Sequence, residues 1–153
     1  MTMETSKAVR PFPKIGSYMD TSEFWAGTRQ GKLMLQYCTE TGRFQHYPRP
    51  VSLFTGKKTV EWREASGKGT LYSWTVTRSP WPGNEARVPY ICAYVDLVEQ
   101  VRFLCNLVDC DENSLYIGMP VVVKWDRLSD EVSFPDFTPV SYTHLTLPTN
   151  REV

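Results

Sequence analysis

Cys38–Gly56, CTETGRFQHYPRPVSLFTG, is the stretch on which the fold of this chain is read. A structural zinc site built from two knuckles takes four soft or borderline ligands, spaced C-x2-C, then a spacer of about ten or more residues, then C-x2-C again. Cys38 stands at the first ligand position. The spacing then calls for ligands at Thr41, Ser52 and Thr55, and a neutral hydroxyl does not replace a thiolate. Gly42 and Gly56, which let such knuckles turn, are in place, with Phe44, Tyr47, Pro48 and Pro50 between them. The pattern predicts a two-knuckle module with a degenerate metal site and no metal ligands. A module this small has little core of its own, so Phe44, Tyr47 and Phe54 are expected to hold it by packing. His46 with Cys38 makes only two ligands, too few for a closed structural site.

Composition narrows the function classes. A chain of 153 residues makes one domain, or one small domain with an appendage. It is 41% hydrophobic and 13% aromatic, enough for a packed core. Seventeen basic side chains balance 17 acidic ones, which argues against a polyanion binder, since phosphate neutralisation carries such affinity. No apolar run is long enough to span a bilayer, and the N-terminus lacks the apolar region of a signal peptide. Cys38, Cys92, Cys105 and Cys110 show no disulfide-framework spacing, and Cys92 and Cys105 fall inside apolar strand patterns. The expected localisation is cytoplasmic.

Working outward from the knuckles, residues 1–19 carry no hydrophobic period and are expected to form a mobile arm; residues 20–64 read as a helix plus the two-knuckle module. Asp20, Thr21 and Ser22 are N-cap candidates, Glu23 favours the helix dipole, and Gly31 offers a C-terminal stop. Phe24, Trp25 and Thr28 share a face. Phe24 and Trp25 are candidates for a partner interface, against the alternative that Trp25 simply anchors the helix. Lys32–Tyr37 alternates, with Leu33 and Leu35 facing one way and Lys32, Met34 and Gln36 the other; Val60–Arg63 is the return strand.

Residues 65–139 read as all β. Ser66–Gly69 is a turn, and Thr70–Arg78 a strand with Tyr72, Trp74 and Val76 on one face. A proline-rich loop follows. Ile91, Ala93, Val95 and Leu97 face inward from the next strand, as do Val101, Phe103, Cys105 and Leu107 from the one after it. DCDEN (Asp109–Asn113) is a polar turn, and strands over Met119–Trp125 and Val132–Phe137 complete the set. Five strands with one long loop after the first suit a partly open Greek-key barrel, the OB-fold. The fold class is therefore mainly β: a short N-terminal helix, a degenerate zinc ribbon, which the resemblance described below implies is rubredoxin-like, and a five-stranded OB-fold barrel. Residues 140–153 break this logic. Val140–Thr149 match, residue for residue, the third-frame translation of a common transposase sequencing adapter, so this segment is expected not to be native.

No nucleophile and base stand in a catalytic pattern, and no phosphate-binding glycine loop is present, so no catalytic residue is assigned. On an OB-fold the working surface is the face of the second and third strands with the loop after the first. That loop offers Arg78, Trp81, Arg87 and Tyr90 as candidate ligand contacts, cations beside flat aromatics. The mix suits stacked single-stranded nucleic acid, the adenine and phosphates of coenzyme A, or a partner protein; alternatively the loop packs on its own barrel.

The ordered series FWAGTRQGKLMLQYC (Phe24–Cys38), GRFQHYPRPV, EWREASGKGTLYSWTV (Glu61–Val76), PYICAYVDL, LCNLVDCD and LYIGMPVVVKW resembles a bacterial and archaeal family. Its members join an N-terminal helix, a rubredoxin-like zinc ribbon and an acyl-CoA-associated OB-fold, and were formerly catalogued as a domain of unknown function. The resemblance runs from about Ser22 to Pro139 and departs at the metal site. It implies a non-catalytic accessory subunit, partner to a thiolase-like enzyme or a hot-dog-fold enoyl-CoA hydratase, that helps hold acyl-CoA in lipid or steroid metabolism. Zinc in that family is structural. No cofactor is expected here beyond a coenzyme A thioester ligand. The second reading is an independent OB-fold protein that binds single-stranded nucleic acid.

Overall fold

The computed structural model describes residues 10–11 and 20–140. Most of the 1–19 arm and residues 141–153 of the adapter-like tail lie outside the described residues. Helix α1 (Ser22–Arg29) ends as its sequence asks. Gly31 takes φ +67°, its N–H bonds the Thr28 carbonyl at 3.0 Å and the Lys32 N–H reaches back to the Gly27 carbonyl at 2.9 Å. This is a Schellman stop, which a residue with a Cβ adopts only under strain. At Gly27 a Cβ would lie 2.4 Å from Met34 Cγ, so the bare backbone lets the helix close onto the next strand.

The ribbon is a three-stranded antiparallel sheet in the order β2-β1-β3, built from β1 (Met34–Cys38), β2 (Arg43–Gln45) and β3 (Val60–Glu64). Five further strands, β4 (Lys68–Thr77), β5 (Tyr90–Leu97), β6 (Arg102–Leu107), β7 (Pro120–Arg127) and β8 (Ser133–Pro139), close into a barrel in the order β4-β5-β6-β8-β7. Leu107 pairs with Phe137 in the parallel β6–β8 contact, and Lys68–Thr70 pair with Pro120–Val122 to seal the cylinder. The barrel is thus closed where the sequence suggested a partly open one. The order is that of an OB-fold, with the long connection after its first strand, β4. Pairing reaches one residue into the 140–153 segment, because the Val140 N–H bonds the Pro120 carbonyl at 3.1 Å.

The inward residues of β5 and β6 are those the alternation predicts, all buried. β4 departs from its expected pattern. Its register against β5 slips between Leu71 and Ser73, so Tyr72 is the extra residue of a β-bulge. Leu71 pairs with Val95, and Trp74 and Val76 then pair with the inward Ala93 and Ile91. Tyr72 is left 44% exposed, off the face it was expected to share with Trp74. One apolar cluster runs through both modules, joining Phe24, Leu33 and Leu35 of the helix and ribbon to Leu71, Phe103 and Phe137 of the barrel. No helix among the described residues is long and apolar enough to cross a membrane.

Candidate functional site

The two knuckles keep their turns. The Gly42 N–H bonds the Cys38 carbonyl at 2.8 Å and the Gly56 N–H bonds the Ser52 carbonyl at 2.9 Å, each glycine at φ +71°. What they hold between them is a set of hydroxyls around one thiol. Cys38 Sγ lies 3.4 Å from Thr59 Oγ1, which is 2.9 Å from Thr55 Oγ1. Burial pushes the Cys38 thiol up, but hydrogen bonds from Ser52, Thr41 and Thr59 outweigh it and bring its pKa to about 6. Aromatic packing accounts for only part of the closure. Phe44 meets Tyr37 edge-on at 5.0 Å and Phe54 lies under the Arg43 guanidinium at 4.0 Å. Tyr47, the third expected filler, is 53% exposed and turned towards the barrel.

On the barrel, the outward face of β5 and β6 is aromatic and open. Tyr94 pairs across the strands with Leu104, Cys92 with Asn106 and Asp96 with Arg102. Tyr94, Leu104 and the bulged Tyr72 are exposed. Arg102 stacks over the Tyr72 ring at 3.4 Å while its Nε donates to Asp96 at 2.8 Å. Burial, then the charges of Tyr94 and Cys92, push the hydroxyl pKa of Tyr47 in the ribbon up. Single exposed apolar side chains mean little, but a contiguous patch of them marks a contact surface. Sequence reasoning missed Tyr47, Tyr72, Tyr94 and Leu104. Tyr94 and Leu104 carried a usable signal, large side chains at the outward positions of the second and third barrel strands.

The loop between β4 and β5 borders this face. Of its four candidates the structure brings Arg87 and Tyr90 together, with the guanidinium 5.0 Å from the ring centroid. Arg87 also donates to Asn84 Oδ1 at 2.9 Å and to Asn106 Oδ1 at 3.4 Å. Arg78 instead pairs with Glu112 of a short 3-10 turn at 2.8 Å, with its side chain 63% exposed. Trp81 is 74% exposed, so it does not pack the loop onto the barrel. Of the two helix candidates, Phe24 belongs to the core, tilted against Phe103 at 6.3 Å, which removes it as a surface anchor. Trp25 is half-buried and meets Phe134 edge-on at 5.4 Å.

Arg10 falls within the stretch expected to be mobile, yet its side chain is only 10% exposed. Its Nε donates to Asp126 at 2.9 Å and its Nη2 to both oxygens of Asp136 at 2.7 Å. The guanidinium also lies over Phe134 at 4.4 Å. Burial raises the Asp136 pKa to about 6 despite Arg10, with Asp126 adding to the rise and Arg87 opposing it. Next to it, Pro11 crosses the β4–β5 loop at Gly83, where an added Cβ would meet Pro11 Cγ at 3.2 Å. At these two residues the arm is fastened to the barrel.

A catalytic pair is absent among the described residues. His46 is wedged against Phe103 at 4.9 Å and Tyr47 at 4.3 Å, and burial lowers its pKa to about 4, so it stays neutral. Burial raises the thiol pKa of Cys92 and Cys105, and that of Cys110 to about 11, which leaves them poor nucleophiles. A cleft of about 290 Å³ between ribbon and barrel, lined by Arg43, Phe44, His46, Phe54 and Arg102 among others, holds no such pair either.

Comparison with known proteins accounts for this two-part plan. Residues 25–51 match the family described as ChsH2, rubredoxin-like zinc ribbon domain, and residues 62–126 match ChsH2, C-terminal OB-fold domain. The chain is 33% identical over 138 residues to a probable enoyl-CoA hydratase alpha subunit of Thermomonospora curvata, covering 90% of this chain and 42% of that protein. It therefore spans less than half the length of that relative. It is 31% identical over 107 residues to a DUF35 domain-containing scaffold protein of Pyrococcus furiosus, covering 70% of this chain and 79% of the relative. Among solved structures, the Ltp2-ChsH2(DUF35) aldolase superposes with a TM-score of 0.74 at 32% identity, over 84% of this chain and 98% of that one. Helix, ribbon and closed barrel, in that order and at those identities, place this chain in the DUF35 family.

Proposed function

We propose that the chain is a non-catalytic accessory subunit, which binds a thiolase-like or hydratase-like enzyme of acyl-CoA metabolism and helps hold the acyl-CoA. The observation that carries this reading is the outward face of β5 and β6. Tyr94 and Leu104 pair across it and are exposed, as is Tyr72 under Arg102, and Arg87, beside Tyr90, reaches Asn106 at its border; Trp81 of the same loop is 74% exposed. Flat rings beside guanidinium groups suit a protein interface, where aromatic and arginine side chains dominate the binding energy. They also suit the adenine and phosphates of coenzyme A. The names of the relatives support the same reading, since they describe a hydratase alpha subunit, scaffold proteins and a complex with an aldolase.

The test is binding and turnover with the purified chain, a candidate partner enzyme and a CoA thioester. Trp81→Ala should weaken complex formation or CoA binding by more than about 1 kcal/mol while leaving the fold intact. Wild-type binding of both by this variant removes the loop from the site. Turnover of a thioester by the isolated chain overturns the accessory role. Co-purification with material absorbing at 260 nm, in place of an enzyme, favours the nucleic-acid reading.

A further inference from the structure

The family description of residues 25–51 implies a structural zinc, and the donor set here does not fit one. The four ligand positions hold one thiol and three hydroxyls, Cys38, Thr41, Ser52 and Thr55. A closed zinc site needs four thiolate, imidazole or carboxylate ligands. Among the described residues, no three His, Cys, Asp or Glu side chains gather to hold a metal ion. Yet the knuckles have not opened, and their geometry shows what keeps them shut.

We propose that this ribbon is closed without metal by two hydrogen-bonded networks, one standing where the zinc would be and the other beside it. The first is the thiol–hydroxyl cluster. Cys38 and Ser52 are both 0% exposed. Ser52 Oγ accepts from the Phe54 N–H and Thr55 Oγ1 from the Lys57 N–H, each at 3.1 Å, so the amides of the second knuckle point at hydroxyl oxygens. Thr59 ties the two knuckles together through Cys38 Sγ on one side and Thr55 Oγ1 on the other. The second network is a pair of buried glutamines, Gln36 and Gln45, facing each other across β1 and β2. Gln45 Nε2 donates to Gln36 Oε1 at 2.8 Å and to the Val51 carbonyl at 3.1 Å, while its Oε1 accepts from the Leu53 N–H at 2.8 Å. Gln36 Nε2 donates to the Arg49 carbonyl and its Oε1 accepts from the Arg49 N–H, both at 2.8 Å. The two amides thereby clamp residues 49–53 onto the sheet. A buried polar network of this kind fixes one geometry when its members are bonded, and here Gln45 uses both Nε2 hydrogens and its Oε1, while Gln36 accepts twice and donates once. The ribbon side of any complex then tolerates chelators.

The full-length chain, purified without added metal, tests the proposal. Elemental analysis should find zinc well below one per chain, and a strong chelator should leave the melting temperature unchanged. One zinc per chain surviving dialysis, or a melting temperature lowered by the chelator, overturns the proposal. The triple variant T41C/S52C/T55C should bind one equivalent of cobalt with the thiolate charge-transfer and tetrahedral absorption bands that the wild type lacks. Failure of a folded triple variant to show those bands overturns the convergence of the four positions. Because that variant is open to misfolding, Gln45→Leu gives an independent reading. Its melting temperature should fall by the same amount with and without chelator, and wild-type stability in this variant overturns the glutamine clamp.

Discussion

Replacing Arg10 by alanine should destabilise the chain by an amount that grows with pH. In the wild type the buried Asp136 carboxyl titrates near 6, against about 3.9 in an unfolded chain. A folded-state pKa raised in this way means the group favours the fold below its unfolded pKa. That contribution is lost as pH rises through about 6 and is constant above it. Arg10 supplies both of the interactions that it makes with Asp136, charge and hydrogen bonds, on the lowering side of that balance. Without it the carboxyl should titrate higher still, and the variant keeps losing stability above pH 6 while the wild type does not. Each pH unit of that divergence is worth about 1.4 kcal/mol. The gap is therefore capped near 1.4 kcal/mol at about pH 7 and near 3 kcal/mol at about pH 8, because the carboxyl escapes a larger cost by taking up a proton. At about pH 8 that ceiling reaches the lower edge of the roughly 3–5 kcal/mol seen when a buried ion pair loses one partner, and at about pH 7 it stays below it. The guanidinium over Phe134 adds about 1 kcal/mol that does not depend on pH.

Urea unfolding of wild type and Arg10→Ala at about pH 5.5, 7 and 8 reads the divergence directly. Asp126 and Arg87 also act on Asp136, so the control is the same substitution in an Asp136→Asn background, where the gap should be flat. A gap that stays constant from about pH 5.5 to 8 with Asp136 present, or narrows as pH rises, refutes the argument.

Two further outcomes follow from the same geometry. Phe137 is 0% exposed and pairs with Leu107 where the barrel closes, so Phe137→Ala should cost roughly 3–5 kcal/mol in chemical denaturation; a loss below about 1 kcal/mol would show that the barrel repacks around the cavity. Truncation after Val140 keeps the bond to Pro120 and should leave the melting temperature unchanged, and a clear drop would mean that residues 141–153 pack on the barrel.

What the sequence made legible was whatever depends on neighbours along the chain. Alternation in β5 and β6 named their inward residues because the side-chain period of a strand is fixed by the backbone. Gly31, Gly42 and Gly56 announced their turns because positive φ excludes most other residues. Tyr72 was misassigned for the same reason that its neighbours were read correctly: a bulge changes the phase by one residue, and only the register against β5 reveals it. Phe24 resembled an amphipathic surface residue until Phe103, far away in the chain, was packed on it. Arg10 gave no local sign at all, since its partners lie more than 100 residues away in β7 and β8.

The ribbon shows how loss of a motif and persistence of a fold can coexist. Zinc contributes to a small domain by joining segments that cannot otherwise bury enough surface to stay together. That task needs convergent contacts, and any set of satisfied ones can meet it. The helix and barrel already carry part of the load here, since Phe24, Leu33 and Leu35 share a core with the barrel and the Ala65 N–H bonds the Leu33 carbonyl at 2.7 Å. With β1 fixed from outside, the knuckles need only modest hydrogen bonds of about 1 kcal/mol each to hold their register. The alternation set Gln36 on the strand face opposite Leu33 and Leu35, beside Lys32 and Met34. In the fold it is 3% exposed, where its amide holds Gln45 and both backbone groups of Arg49.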